Sequence, residues 1–485
     1  MRLLPLLAAL MASTHVQAET LRDALQRAYA GNPSLTGARA GQRAVDEGVA
    51  QAKAQGRPNI IGQGGLTQTF TGVGTFGNGG RVLSAGVELG VPLFQGGRVR
   101  NSIGAAEARV LSGRADLRST EAAVFTEVVA AYMDVIRDEG IVDLNGGQVR
   151  VLETNLQASR DRFEVGDITR TDVAQSEARL ALARSSLDSA QAQLTASREN
   201  YRRVVGILPD ALEPPSPLPS LPGTPGQAVD AAVANNPQLI AARKNQEATR
   251  YDVGVARGER LPTVSAVTGA DYIDYLGTLD DLVGIPGGTG GGGAGGFSFQ
   301  DSQTTSRVGL TARIPIYQGG GPASRVRAAQ ALQSQAIEQT IFVERDVVAQ
   351  ANSAFARWTA ARAVIESSRV AVDANRLALE GTRAENSVGS RNVLDVLNAE
   401  QELLNAQVQL ISAQRDEYVA GFALLAAMGH AEARDLGLDG GALYDPALNY
   451  DRVRNRLWDW SDDPRPTPRA TRTVPEAGDV TARPN

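Results

Sequence analysis

The sequence predicts a mixed α+β membrane protein made of two matched halves, each with long coiled-coil helices and two β-strands. Three observations lead to this fold class. Motifs recur at a fixed offset, two proline-free stretches carry apolar residues seven apart, and short segments alternate apolar with polar residues. A seven-residue repeat is typical of helices packed side by side, and strict alternation is typical of a strand with one polar face.

The composition disfavours an enzyme. The 485 residues include no cysteine, and His15 and His430 are the only histidines. The chain therefore has no disulfide, thiolate metal site or cysteine nucleophile, and too few imidazoles for a histidine-paired metal site. The net charge of −6 offers no basic face for nucleic acid. We expect no catalytic residue, no cofactor, no metal and no nucleic-acid partner.

Residues 1–18 have the pattern of a secretory signal peptide. Arg2 precedes an apolar run, and Val16 and Ala18 stand at positions −3 and −1 of the predicted cleavage site. The alternative is the start of a buried helix. No later stretch approaches the roughly 18 apolar residues that a membrane-spanning helix needs. We expect an exported chain that begins near Glu19, without a helical anchor and without an N-terminal cysteine to carry lipid.

An internal repeat organises the rest of the chain. Asn32-Pro33 recurs 204 residues later, and the segment 91–97 (VPLFQGG) recurs 223 residues later as 314–320 (IPIYQGG). The change of offset is explained by a longer insert in the second half, centred on Gly284–Gly296. The predicted units are a first repeat at 19–207, a proline-rich linker at 208–226, a second repeat at 227–430, a C-terminal segment at 431–460 and a disordered tail at 461–485.

Each repeat is expected to hold a short helix, two strands, a very long helix and a returning helix. No proline occurs at 93–208 or at 323–445, so helices can run uninterrupted. A helix from Arg98 to Phe163 would be about 100 Å long at 1.5 Å per residue. The heptad spacing that supports this helix is seen in Ile103, Val110, Leu117, Val124 and Ala131.

The strand signal lies just before each long helix. Odd-numbered positions from Leu83 to Leu93 are apolar, whereas Ser84, Gly86, Glu88 and Gly90 lie between them. In the second half the apolar positions are Val308, Leu310, Ala312, Ile314 and Ile316. About ten alternating residues are enough to cross a membrane as a barrel strand, although a half-buried soluble sheet gives the same pattern. Two less regular strands are expected near 60–73 and 264–275. Four strands cannot close a barrel, so several chains would have to combine.

Together these features resemble the TolC family of outer-membrane efflux and type I secretion channels. The resemblance is carried by the repeated Asn-Pro, the two strand-ending motifs and the segments 165–173 (VGDITRTDV) and 388–396 (VGSRNVLDV). It implies a homotrimer whose three chains form a twelve-stranded barrel in outer-membrane lipid and a helical tunnel across the periplasm. An equatorial belt would include residues 431–460. A periplasmic adaptor and an inner-membrane ABC or RND-type transporter would dock at the helical tips.

The resemblance also assigns candidate site residues at those tips. Gly166 and Gly389 sit where each long helix reverses, which requires a positive φ. The resemblance implies that the adaptor engages Val165-Gly166 and Val388-Gly389. It also implies a periplasmic gate, and this gate would contain Asp172, Thr171, Arg391, Asn386 and Asp395.

A simpler explanation covers the two aspartates. Thr169 and Asn392 each precede an aspartate by three residues, as in a capped helix N-terminus. In the family interpretation Asp172 joins a latch with Arg391, and Asp395 forms an acidic ring that favours cations. Asn386 stands where that family usually has a tyrosine, and Asn398 stands where a second aspartate is usual. We therefore expect a weaker latch and a single acidic ring.

Three further segments have structural rather than functional interpretations. The run Gly287–Gly296 lacks the ending of a phosphate-binding loop and is expected to be a mobile loop between strands. Trp458 and Trp460 either anchor the C-terminal segment against the belt or fill a local pocket. Residues 461–485 are rich in Pro, Arg and Asp, a composition typical of disorder.

Two other classes of function remain as alternatives. A soluble periplasmic coiled-coil scaffold or adaptor would have no barrel, and two matched halves with strand pairs disfavour it. An exported hydrolase is disfavoured by the scarcity of His and Cys and by the absence of a serine or carboxylate motif placed for attack.

Overall fold

The computed structural model describes residues 19–70, 80–278, 301–438 and 443–473. The predicted signal peptide and the run Gly287–Gly296 lie outside the described residues. The elements in chain order are α1 Leu21–Gly31, α2 Pro33–Ala54, β1 Asn59–Gln68, β2 Arg81–Gln95, α3 Arg98–Glu164, α4 Arg170–Val205, α5 Pro225–Asn235, α6 Pro237–Gly258, β3 Thr263–Asp274, β4 Ser302–Arg313, α7 Gly321–Ser387, α8 Val393–Ala427 and α9 Pro446–Val453.

Each half starts with two helices, where the sequence suggested one. The reason is the Asn-Pro motif. Asn32 is extended, its side chain accepts a hydrogen bond from the backbone N–H of Ser34, and Pro33 occupies the first position of α2. The amide of Asn32 also donates to the carbonyl oxygen of Val204 at 2.9 Å. The motif therefore ends one helix, starts the next and ties the start of the repeat to its returning helix.

The long helices are continuous. Both α3 and α7 contain 67 residues, which corresponds to about 100 Å. Each forms an antiparallel hairpin with its returning helix, and α3 also packs against α2, α6 and α8. The largest fully buried side chains gather partway along the hairpins, around Tyr132, Tyr201, Phe125 and Phe422. A smaller apolar cluster lies toward the tips around Leu156, Leu180 and Leu397.

The four strands form one antiparallel sheet in the order β1-β2-β3-β4. Because directly paired residues share a face, Val87 lies on the same face as Ala270, and Glu88 on the same face as Gly269 and Arg307. On the polar face Arg307 pairs with Glu88 at 2.6 Å and also with Asp271. The β4 strand ends at Arg313, so Ile314 and Ile316, expected within it, follow it instead.

The linker and the C-terminal segment pack on the helices. Residues 206–224 join α4 to α5 without a helix, and Leu218 of this linker contacts Gly421 of α8 closely. Residues 461–473, expected to be disordered, contact the body of the chain: Thr471 donates its backbone N–H to the carbonyl oxygen of Gly31 at 3.2 Å. Trp458 and Trp460 fill no pocket of their own chain, since they are 72% and 85% exposed.

Among the helices of the described residues, none is both long and apolar enough to cross a membrane.

Candidate functional site at the helical tips

The two tips have the same backbone geometry. Gly166 has φ of +80° and donates its N–H to the carbonyl oxygen of Phe163 at 2.9 Å. Gly389 has φ of +79° and donates to that of Asn386 at 3.0 Å. A side chain at either position would be strained, because L-residues rarely adopt positive φ. The turns leave Val165 and Val388 among the most exposed apolar side chains of the chain, at 81% and 79%.

Asp172 forms a reciprocal cap with Thr169 at the start of α4. The Asp172 carboxylate accepts hydrogen bonds from the backbone N–H of Thr169 at 2.9 Å and from its hydroxyl at 2.8 Å. The backbone N–H of Asp172 donates to the Thr169 hydroxyl oxygen in return. These bonds favour the ionised form, so the side-chain and backbone donors of Thr169 lower the pKa of Asp172. The capping role expected for this residue is present.

Asp395 occupies the matching position at the start of α8 but is bonded differently. Its backbone N–H donates to the side-chain oxygen of Asn392 at 2.8 Å, so Asn392 caps the helix. Within the described part of the chain, no side chain or backbone group donates to the Asp395 carboxylate. The cap at this tip therefore leaves a half-buried carboxylate without a hydrogen-bond donor among the described residues.

The remaining candidate gate residues are held within their own turn or exposed. Arg391 forms an ion pair with Glu385 at 2.7 Å, and the Asn386 amide donates to the backbone oxygen of Arg391 at 2.8 Å. Thr171 is exposed at the first turn of α4. A latch between Arg391 and Asp172 would link different turns, and it stays a prediction.

The structure shows two polar links behind the tips that the sequence did not predict. Glu400 on α8 is 3% exposed, and its carboxylate accepts hydrogen bonds from Asn155 of α3 at 3.1 Å and Arg383 of α7 at 2.9 Å. Asn398 accepts from Arg179 of α4 at 2.6 Å. A signal was available for Glu400, which lies on the same helix face as the buried residues Leu397 and Leu404. A charged residue on an apolar stripe usually has a buried partner.

The described residues hold no group of three or more His, Asp or Glu side chains placed to bind a metal ion. What they present instead is a pair of long helical hairpins, with capped, charged tips at one end and a four-stranded sheet with an apolar face at the other.

This arrangement is found in a known family. The profile of the family described as "Outer membrane efflux protein" matches residues 24–206 and 228–430, which are the two repeats. The chain belongs to the outer membrane efflux protein family. The match to both repeats separately agrees with the duplication seen in the sequence.

Relatives support the assignment over most of the chain. The outer membrane efflux protein BepC of Brucella suis is 36% identical over 438 residues, covering 90% of this chain and 91% of the relative. The outer membrane protein TolC of Escherichia coli is 27% identical, covering 92% of this chain and 90% of that protein. The structure of the Campylobacter jejuni outer membrane channel CmeC has a TM-score of 0.73 at 15% identity, covering 91% of this chain and 90% of that one.

Several predictions from the sequence are thereby confirmed. The family resemblance is correct, and the fold class is that of an outer-membrane channel with long helices and strands. The chain is an exit duct in the outer membrane that extends into the periplasm. The family to which the chain belongs consists of efflux channels.

Proposed function

We propose that three copies of the chain form a passive duct, with twelve strands closing a barrel in the outer membrane and the helices enclosing a tunnel across the periplasm. The observation that carries this proposal is the four-stranded sheet. Its outer strands, β1 and β4, each have one edge without a partner strand in the described chain. Unpaired edges cannot be left in lipid, and four strands are too few to close a barrel.

The two faces of the sheet fit such a barrel. Val87, Val308 and Leu310 share one face and are 55%, 88% and 73% exposed, which suits contact with lipid. The opposite face carries Glu88, Asp271 and Arg307, which suits a water-filled lumen.

The duct receives its cargo at the helical tips. We assign adaptor docking to Val165, Gly166, Val388 and Gly389, because the turns present exposed valines at the ends of rigid hairpins. The adaptor would connect the duct to an inner-membrane ABC or RND-type transporter that supplies the energy. The chain itself catalyses no reaction in this proposal.

The gate lies at the same tips. Asp395 is the best candidate for the pore constriction, because its carboxylate is left unengaged by the helix cap. Threefold symmetry would place three such carboxylates in one ring, which favours cations and repels anions. The latch between neighbouring turns would consist of Asp172, Thr171, Arg391 and Asn386. Exposed ion pairs contribute only about 0.2–1 kcal/mol each, so a docking partner could open such a latch.

The first test is to purify the protein from outer membranes in detergent and to measure its mass and its single-channel conductance in planar bilayers. We expect a mass of three chains and discrete conductance steps. A monomeric species extracted without detergent and without conductance would contradict the proposal and favour the soluble scaffold.

A further inference from the structure

The C-terminal segment runs along helix α2 toward the sheet. The amide of Asn449 donates to Asp46 at 2.8 Å, and Lys53 donates to the backbone oxygen of Arg454 at 3.2 Å. Further on, Arg57 donates to the backbone oxygen of Arg456 at 2.7 Å. The contacts follow α2 in order, so the segment reaches the point where α2 gives way to strand β1 at Asn59.

The chain then returns to the other end of α2. Thr471 bonds to Gly31, directly before α2, and Arg202 donates to the backbone oxygen of Thr473 at 2.8 Å. The 22 residues of α2 rise about 33 Å. The eleven backbone steps from Trp460 to Thr471 span about 36 Å when extended, so they can cover this distance. Residues 457–460, here called the tryptophan turn, therefore lie where the segment reverses direction near the start of strand β1.

The apex exposes large apolar side chains. Leu457, Trp458 and Trp460 are 75%, 72% and 85% exposed, and the hydroxyl of Ser461 donates to the backbone oxygen of Trp458 at 2.7 Å to close the turn. Trp358, by contrast, packs against Phe355 and donates its indole N–H to Glu417. Clustered exposed aromatics usually mark a contact surface.

The other helix–strand junctions expose apolar residues at the same end of the sheet. Phe94 at the end of β2 is 48% exposed, and Ile316 and Tyr317 after β4 are 95% and 87% exposed. Barrels in outer membranes carry girdles of aromatic residues at both lipid–water boundaries. In the proposed barrel, the tryptophan turn would therefore lie beside the periplasmic lipid–water boundary.

Ion pairs neutralise much of the charge around the turn. Arg452 and Arg456 both pair with Asp463, and Arg454 pairs with Asp451. The groups that the turn presents to a membrane are therefore its exposed apolar side chains. Tryptophan prefers the headgroup level because its ring is apolar and its N–H is polar.

We propose that the tryptophan turn is a membrane-interface anchor that inserts Leu457, Trp458 and Trp460 at the headgroup level of the periplasmic leaflet. The anchor would hold the C-terminal segment, and through it α2, at a fixed height against the membrane. The inference rests on the proposed barrel, which sets the position of the lipid.

Tryptophan fluorescence tests the anchor, because the chain has three tryptophans. The variant W358F keeps only Trp458 and Trp460, and the matched variant W458F/W460F keeps only Trp358. Both are reconstituted into vesicles of phosphatidylethanolamine and phosphatidylglycerol whose acyl chains are brominated close to the headgroup. We expect W358F to lose most of its emission relative to unbrominated vesicles and W458F/W460F to lose little. If W358F does not fold, the wild-type signal minus that of W458F/W460F gives the same quantity.

Two results would overturn the anchor. If aqueous iodide quenches the emission of Trp458 and Trp460 and brominated lipid does not, the turn lies in water. Emission that neither quencher reaches would place it against a neighbouring copy of the chain. Conductance of the same preparation separates this test from the proposed function: conducting vesicles without lipid quenching contradict the anchor alone, whereas non-conducting protein that fails to insert contradicts the duct.

Discussion

The Asp172 carboxylate accepts two hydrogen bonds from Thr169, at 2.9 and 2.8 Å, whereas the carboxylate of Asp395, its counterpart in the second repeat, accepts none within the described residues. The two positions are 223 residues apart and read alike in the sequence. The two repeats therefore differ at this position: one carboxylate caps its own helix, and the other is not bonded within the described residues.

This difference predicts which aspartate controls ion selectivity. Replacing Asp395 with Asn should weaken the preference for cations and the block by multivalent cations in planar bilayers, because the ring would lose three negative charges. The matched substitution Asp172→Asn should change selectivity less, since that carboxylate is held by Thr169. Equal effects of the two substitutions, or unchanged selectivity in D395N, would argue against the acidic ring.

The cap of α4 predicts a pH-dependent stability. Thr169→Ala should lower the free energy of unfolding by about 1 kcal/mol at neutral pH. Because the folded-state pKa of Asp172 is lowered, its contribution is complete above the unfolded-state value and is lost as the pH falls through the folded-state value. The cost of Asp172→Asn should therefore be present at pH 7 and shrink below about pH 4.

Guanidinium unfolding at pH 7 and at pH 3 measures this effect. Thr171→Ala is the control, because this neighbouring threonine is exposed and does not cap the helix. A cost of D172N that is the same at pH 7 and pH 3 would show that the carboxylate does not contribute as a charged cap.

The link at Glu400 predicts a stability effect behind the tips. Glu400→Ala should lower the free energy of unfolding by about 2 kcal/mol, because charge-assisted hydrogen bonds to Arg383 and Asn155 are lost. Arg383 is half exposed, so water can solvate its charge after the substitution, which limits the loss. The exposed Glu402 provides the control, and E402A should be nearly neutral. Equal thermal stability of the two variants would disprove the structural role of this link.

Two equivalent glycines at the helix–strand junctions should differ in how well they tolerate substitution by alanine. Gly96 and Gly319 have φ of +61° and +59°, so alanine is strained at both by about 1–2 kcal/mol. A Cβ at Gly96 would also overlap the carbonyl oxygen of Gly258 and lie 2.8 Å from the Cβ of Leu261, whereas a Cβ at Gly319 meets nothing within 4 Å. G96A should therefore reduce the yield of assembled, membrane-inserted protein more than G319A does.

Quantitative immunoblotting of outer-membrane fractions compares the two variants. Similar yields of G96A and G319A would mean that the backbone at Gly258 can move aside.

Periodic patterns in the sequence predicted most of the fold. The proline-free heptads indicated α3 and α7, and alternation indicated β2 closely, because both signals come from residues that repeat within one element. The boundary at Asn32-Pro33 was predicted less well. That dipeptide was recognised as a repeat landmark, but its role as the cap between two helices was missed.

What the sequence determined by itself was the duplication, the long hairpins, the alternating strands and the glycine turns at 166 and 389, since each depends on local conformation or on spacing along one element. Only the tertiary structure decided that Glu400 joins three helices and that the tryptophan turn lies near the start of strand β1. These relationships depend on contacts between residues far apart in the chain, and such contacts leave no period in the sequence.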